Sequence, residues 1–240
     1  MSFYPIHESA LPLPETLRPL FDVWLSGQTM MPEVVRWGPY HELQHTRRQD
    51  DLQHSYSLVV FTMNFIDQLD LHLYLKLEPK LLLRAVTFHD HGEAELKRDI
   101  LLSNKSDAED LREYLAFVIR FGGLKRFDLY HKAFLLQFVP KRPANFPPEA
   151  QAIMDQLAEE KRYEVLSFQA IENLDYLLYA IEQRVTMGNR DCLAQVFMNT
   201  KPKLDALSQV LPGLKQEFWT PGLITWCEEM VKGGNTEVPK

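Results

Sequence analysis

The run from Lys80 to Glu93 constrains the fold more than any other part of the chain. Leu81, Leu82, Leu83, Ala85, Val86 and Phe88 read as a largely buried helix, and this apolar stretch runs directly into His89-Asp90. At helical spacing Leu82, Ala85/Val86 and His89 share one stripe, so His89 is expected to point into the core, with Asp90 about 100° further round. An imidazole beside a carboxylate on an apolar helix is costly unless something binds both. A divalent cation is the obvious candidate. Neighbours in sequence do not face each other on a helix, so joint ligation requires the helix to be ending there, and Gly92 is expected to supply that ending.

Two further segments place polar ligand types on apolar stripes. Gln53-His54-Ser55-Tyr56-Ser57 opens a periodic helix on which His54, Leu58, Phe61, Phe65 and Leu69 share a face. Phe168, Ile171, Asp175 and Leu178 share the stripe of a helix running from about Glu160 to Arg184. A buried carboxylate without a partner costs several kcal/mol or titrates to its neutral form. A metal site draws on three or more protein ligands. The economical reading is that His54, His89, Asp90 and Asp175 converge on one cation. Ordinary alternatives stay open for each: a hydrogen-bonded core histidine for His54, a salt bridge to Arg84 or Arg120 for Asp175, and an aspartate that merely orients His89 for Asp90. His91 reads as solvated or as supporting a ligand from outside.

The ordered set His54, His89-Asp90, Asp175 resembles the HD-domain superfamily of metal-dependent phosphohydrolases, whose ligands follow the order H...HD...D on three core helices. The resemblance spans roughly Arg36 to Arg184 and takes in the His54-Ser55 opening, the His89-Asp90-x-Gly92-Glu93 extension and the run Asn173-Leu174-Asp175-Tyr176. It implies an all-α, HD-domain helical bundle with extra C-terminal helices. It also implies one divalent ion of uncertain identity (Mn, Co, Fe, Ni, Mg or Zn) held by those four residues. The implied activity is hydrolysis of a small phosphomonoester by metal-activated water.

Gly92-Glu93 after the His-Asp pair is similar to the branch containing bacterial 5'-deoxynucleotidases. That similarity implies that Glu93 is the catalytic proton-transfer group and that a nucleoside 5'-monophosphate is a substrate. The same branch carries an Arg-Trp pair upstream of its first histidine, matched here by Arg36-Trp37, and a further arginine matched by Arg47, seven residues before His54. These imply a guanidinium clamp on phosphate and an aromatic wall for the nucleoside. Two departures bear on nucleotide specificity. The interval from Arg36 to His54 is longer than in that branch, and its Gly-Asp after the glutamate is replaced by Lys97-Arg98-Asp99. Asp99 is then either the counterpart substrate-binding carboxylate on a lengthened turn or a helix cap.

The chain has 240 residues, 45% of them hydrophobic, enough for one domain with a full core. An HD-type core over about 36–185 and a helical extension over 186–240 are expected. Helices are expected near Glu33 and over 53–71, 79–91, 107–121, 124–138, 148–159, 160–184 and 190–210, with a last one opened by Thr220-Pro221 and closed by Gly233-Gly234. Trp219, Leu223 and Trp226 give the extension an apolar face that either finishes the core or forms a homodimer surface. The Pro140–Pro148 segment reads as a connection whose Lys141 and Arg142 are solvated. A net charge of −7 with no basic-aromatic interleaving argues against nucleic acid as a partner. Neither a long apolar run nor a leader-like start is present, which points to a cytoplasmic protein without membrane attachment. Cys192 and Cys227 are expected as reduced thiols.

Because the ligands do not encode which ester is cut, phosphodiester or pyrophosphate hydrolysis of a signalling nucleotide is the alternative activity. A metal-bearing module that senses a nucleotide without turning it over is the alternative outside enzymes. An HD-type di-iron oxygenase would need additional ligands.

Overall fold

Apolar periodicity near 3.6 residues carries through to the tertiary structure, which is all-α. The computed structural model describes residues 30–34, 36, 49–72, 77–96 and 105–233, and no strand occurs among them. A 3-10 turn at Met31–Glu33 precedes α1 (Asp51–Leu69), α2 (Pro79–Phe88), α3 (His91–Leu96), α4 (Asp107–Phe121) and α5 (Phe127–Leu135). A 3-10 turn at Leu136–Phe138 follows, then α6 (Pro148–Glu160), α7 (Arg162–Met187), α8 (Arg190–Val210), the single turn α9 (Leu214–Glu217) and α10 (Pro221–Lys232).

Local chemistry explains most of the boundaries. Asp50 caps α1 by accepting from the Gln53 amide at 2.8 Å, so the helix opens two residues before the expected Gln53. Ser106 and Glu109 form a reciprocal capping box on α4. Thr220 caps α10, Pro221 occupies its first turn, and Gly233 ends it in the left-handed region at φ 89°, as the sequence predicts.

The 79–91 segment departs from expectation in an informative way. α2 stops at Phe88, His89 and Asp90 form a turn, and a new helix starts at His91. Gly92 therefore does not terminate a helix; it lies inside α3. A Cβ added there would stand 2.7 Å from the Glu113 carbonyl oxygen and 2.9 Å from Glu113 Cβ, so glycine is required for the close approach of α3 to α4. The break at His89-Asp90 lets both side chains reach one centre, which a continuous helix would prevent.

Core packing runs through most of the described chain as one apolar cluster, from Leu58 and Phe65 on α1 to Cys227 and Met230 on α10. Phe134, Phe117 and Phe121 stack in sequence at centroid separations of 3.9 and 4.4 Å, joining α4 to α5. The C-terminal helices complete this core. α8 packs along α7, Phe218 stacks on Phe65 at 4.7 Å, and buried Trp219 donates its indole N–H to Asp205 at 2.8 Å. Both cysteines are free and buried, and burial pushes the Cys192 thiol up to about 11 and the Cys227 thiol up to about 12. None of the described helices is long and apolar enough to cross a membrane.

Candidate metal centre

Two helices, α1 and α7, and the α2–α3 turn bring imidazoles and carboxylates to one buried point. His54 projects from the first turn of α1, where its ring is completely buried. His89 lies at the end of α2 and Glu172 on the middle of α7. One ligand atom from each of these three falls within 4.8 Å of the others. His54 Nε2 and His89 Nε2 are 3.4 Å apart, and His89 Nε2 is 3.3 Å from Glu172 Oε1. Asp90 closes the other side, 3.1 Å from His89 Nε2 and 3.4 Å from His54 Nε2.

These separations suit a cation. Ligand atoms about 2.0–2.2 Å from a shared ion lie roughly 3–4 Å from one another. The orientation of His89 follows from its other nitrogen: Nδ1 lies 3.0 Å from the Val86 carbonyl, which can only accept, so Nδ1 carries a proton and Nε2 faces the centre, where a cation would take the place of its own proton. Burial pulls the His89 pKa down, yet Asp90 and Glu172 outweigh it and raise it to about 9. Burial likewise pushes against ionisation of Asp90, but Arg36 and then His89 hold it well below the usual carboxylate range. The field at Nε2 is thus one that favours positive charge. Glu172 Oε1 is buried and outside hydrogen-bond geometry with any described residue, which fits a group placed for an ion.

Asp175 occupies a different position from the other donors. Its Oδ2 is 2.9 Å from His54 Nδ1, on the side of the ring away from His89. Glu172, one helical turn earlier on α7, stands with His54 and His89 among the atoms within 4.8 Å of one another, and Asp175, expected there as a direct donor, lies behind His54, where a carboxylate that orients a ligating histidine would sit. Glu172 was missed, although a spacing of three residues from Asp175 puts the two on one helix face. Leu178, expected on the core stripe, is 45% exposed, and Tyr179 takes the buried place. Neither alternative partner of Asp175 holds: Arg120 is engaged with Glu95 at 2.6 and 2.7 Å, and Arg84 lies over the Tyr130 ring.

Arg36 is buried at this centre. It ion-pairs with Asp90, reaches Asp51 at 3.5 Å and lies 5.9 Å from the Tyr176 ring centroid. Trp37, Arg47 and Asp99 lie outside the described residues. Glu93 is buried on the first turn of α3, so a solvated glutamate is ruled out; Lys105 Nζ lies 2.8 Å from its Oε1. Burial raises the Glu93 pKa, with Lys105 opposing and Asp90 reinforcing the shift. His91 is buried rather than solvated, stacked on Phe88 at 5.1 Å and edge-on to Phe121 at 5.2 Å, and burial lowers its pKa to about 4. Lys141 is exposed, as expected, and pairs with buried Asp110 and the Lys105 carbonyl, while Arg142 pairs with Asp155 on the surface.

The described residues therefore include a His54–His89–Glu172 group able to hold a metal ion, flanked by Asp90, Arg36 and Glu93. Comparison of the chain with models of known protein families, with curated proteins and with solved structures gives no match.

Proposed function

We propose that this chain is a metal-dependent phosphohydrolase of the HD type, acting on a small phosphomonoester such as a nucleoside 5'-monophosphate. The observation that carries the reading is the meeting of two imidazole nitrogens, 3.4 Å apart, with Glu172 and Asp90 at a buried point beside Arg36 and Glu93. The order His54, His89-Asp90 and the Gly92-Glu93 extension support the same reading by resemblance.

A divalent ion in such a donor set lowers the pKa of water and offsets phosphate charge. The protein's own residues supply the rest. Glu93, a buried carboxylate whose pKa burial raises, is the group that accepts a proton as water attacks phosphorus and returns it to the leaving oxygen as that P–O bond breaks. Arg36 carries a fixed guanidinium charge at the edge of the centre, of the geometry that pairs with phosphate oxygens. Asp175 holds the His54 ring in register from behind.

The test is phosphate release from a panel of nucleoside 5'-monophosphates and other phosphate esters, using protein stripped of metal and reloaded with Mn, Co, Mg or Zn, with Asp90→Asn as control. Metal-dependent release abolished in the control is the expected result. One tightly bound ion per chain with no release from any ester would overturn the hydrolase reading in favour of a sensing module.

A further inference from the structure

Lys105 occupies a position that a lysine rarely takes. It is 7% exposed, its Nζ lies 2.8 Å from Glu93 Oε1 and 2.5 Å from Glu113 Oε2, and Glu113 is itself 1% exposed. One ammonium is thus held between two carboxylates that come from different helices. Removing three charges from water costs more than most ion pairs return, and apolar replacements of such clusters are often neutral or stabilising. As a stability device the arrangement is poor, which turns attention to what it positions.

The geometry gives it a direction. Glu113 sits in the middle of α4, a helix fixed by its capping box, and its backbone lies against Gly92 so closely that no Cβ fits there. Glu93 is the residue after Gly92, on a turn that starts from Asp90, whose carbonyl accepts from the Ala94 amide at 3.0 Å. A rigid chain of contacts therefore leads from α4 through Glu113 and Lys105 to the Glu93 carboxylate. Burial raises Glu113 to about 8 and raises Glu93 as well, while the two carboxylates, against the cost of burial, hold Lys105 protonated.

We propose that Lys105, anchored by Glu113, is a positioning residue that fixes Glu93 by its Oε1 and thereby directs Oε2 as the oxygen that exchanges the proton. This rests on the hydrolase reading above. Lys105 touches no reacting atom; it restricts the rotamers of Glu93, whose misplacement by about 1 Å is enough to cost on the order of 100-fold in rate. Neither Lys105 nor Glu113 shows itself in the sequence, because the pairing joins residues 12 and 8 positions apart across a helix boundary.

The experiment compares Lys105→Met, Lys105→Arg and the double variant Lys105→Met/Glu113→Gln with the wild-type chain. The double variant removes the second buried carboxylate, so it folds if Lys105→Met alone does not. Three quantities are read: Mn affinity by calorimetry, kcat and KM with the ester that the wild-type chain hydrolyses, and the kcat–pH profile. The proposal expects Mn affinity and KM to stay at the wild-type level while kcat falls about 100-fold. It expects partial recovery of kcat in Lys105→Arg, and an acidic limb that moves to higher pH in the lysine-free variants because a carboxylate without its cation binds its proton more tightly. Unchanged kcat in both lysine-free variants overturns the proposal, as does a loss of Mn affinity that accounts for the loss of rate.

A wild-type chain that hydrolyses no ester removes the hydrolase reading itself, and the clamp is then judged by the ¹⁵N NMR signal of Lys105. Slow exchange of its NH₃⁺ protons in the wild-type chain, lost in Glu113→Gln, leaves the clamp standing with another role. Fast exchange in both overturns the clamp.

Discussion

Replacing Gly92 with alanine tests the contact on which the site geometry depends. The added Cβ would meet the Glu113 carbonyl oxygen at 2.7 Å, its Cβ at 2.9 Å and its carbonyl carbon at 3.0 Å. Carbon atoms rest at about 3.5–4.0 Å, so the new methyl falls short by roughly 0.5–1 Å. Two of the three obstructing atoms are backbone atoms of α4, which cannot swing aside as a flexible side chain would. The φ of Gly92 is not in the left-handed region, so the penalty is steric and not conformational. Forcing a methyl into a packed interface costs about 1–3 kcal/mol, while alanine returns about 0.4–1 kcal/mol by restricting the unfolded chain.

The net expectation for Gly92→Ala is a destabilisation of about 1–2 kcal/mol, read as a lower urea midpoint with an unchanged slope. Gly222→Ala is the control. That glycine lies in the first turn of α10, and its added Cβ would have only Thr220 Oγ1 within 4 Å, at 3.8 Å, so the same substitution is expected to stabilise by about 0.5–1 kcal/mol. A Gly92→Ala protein at least as stable as the wild-type chain would refute the steric argument. The same substitution also moves α3, and Glu93 with it, away from α4, so turnover is expected to drop by more than the loss of stability explains.

Further predictions concern charge and ligation. His91 is held neutral with a pKa of about 4, against 6.5 unfolded; a histidine depressed on folding contributes stability that is complete above pH 6.5 and is lost as pH falls through 4, worth about 3 kcal/mol in all. Urea melts of His91→Leu from pH 7 to pH 4 are expected to show a shallower acid slope than the wild-type chain, and equal slopes would remove His91 from the acid response. Glu172→Ala is expected to lower Mn affinity far more than Asp175→Asn, whose loss is expected at about 10–100-fold as for a group behind a ligand; the reverse order in calorimetry would return Asp175 to the donor set. Arg120→Met leaves Glu95 without its bidentate partner in a nearly buried position and is expected to cost about 3 kcal/mol in the same melts, while a change below about 0.5 kcal/mol would show that pair to be solvated.

Apolar spacing alone determined the helical class of this protein and, within a few residues, most helix limits. Period and capping are local: Thr220-Pro221 and Gly233 mark α10 by backbone chemistry that needs no distant partner. The same locality made His54 and His89 legible as inward-facing, since each lies on an apolar stripe of its own helix. What tertiary structure decided is everything that depends on approach between helices. Gly92 looks like a helix end in sequence because glycine commonly is one, yet its reason is the backbone of Glu113. Asp175 stands out as a charge on a stripe, while Glu172, one turn away on the same face, comes within 3.3 Å of His89 only through the way α7 crosses the α2–α3 turn. Lys105 and Glu113 carry no local mark of burial, since residues of their type are usually exposed, and only the packing of α4 against α3 takes them out of water, because burial and pairing are properties of the packed chain rather than of any one segment.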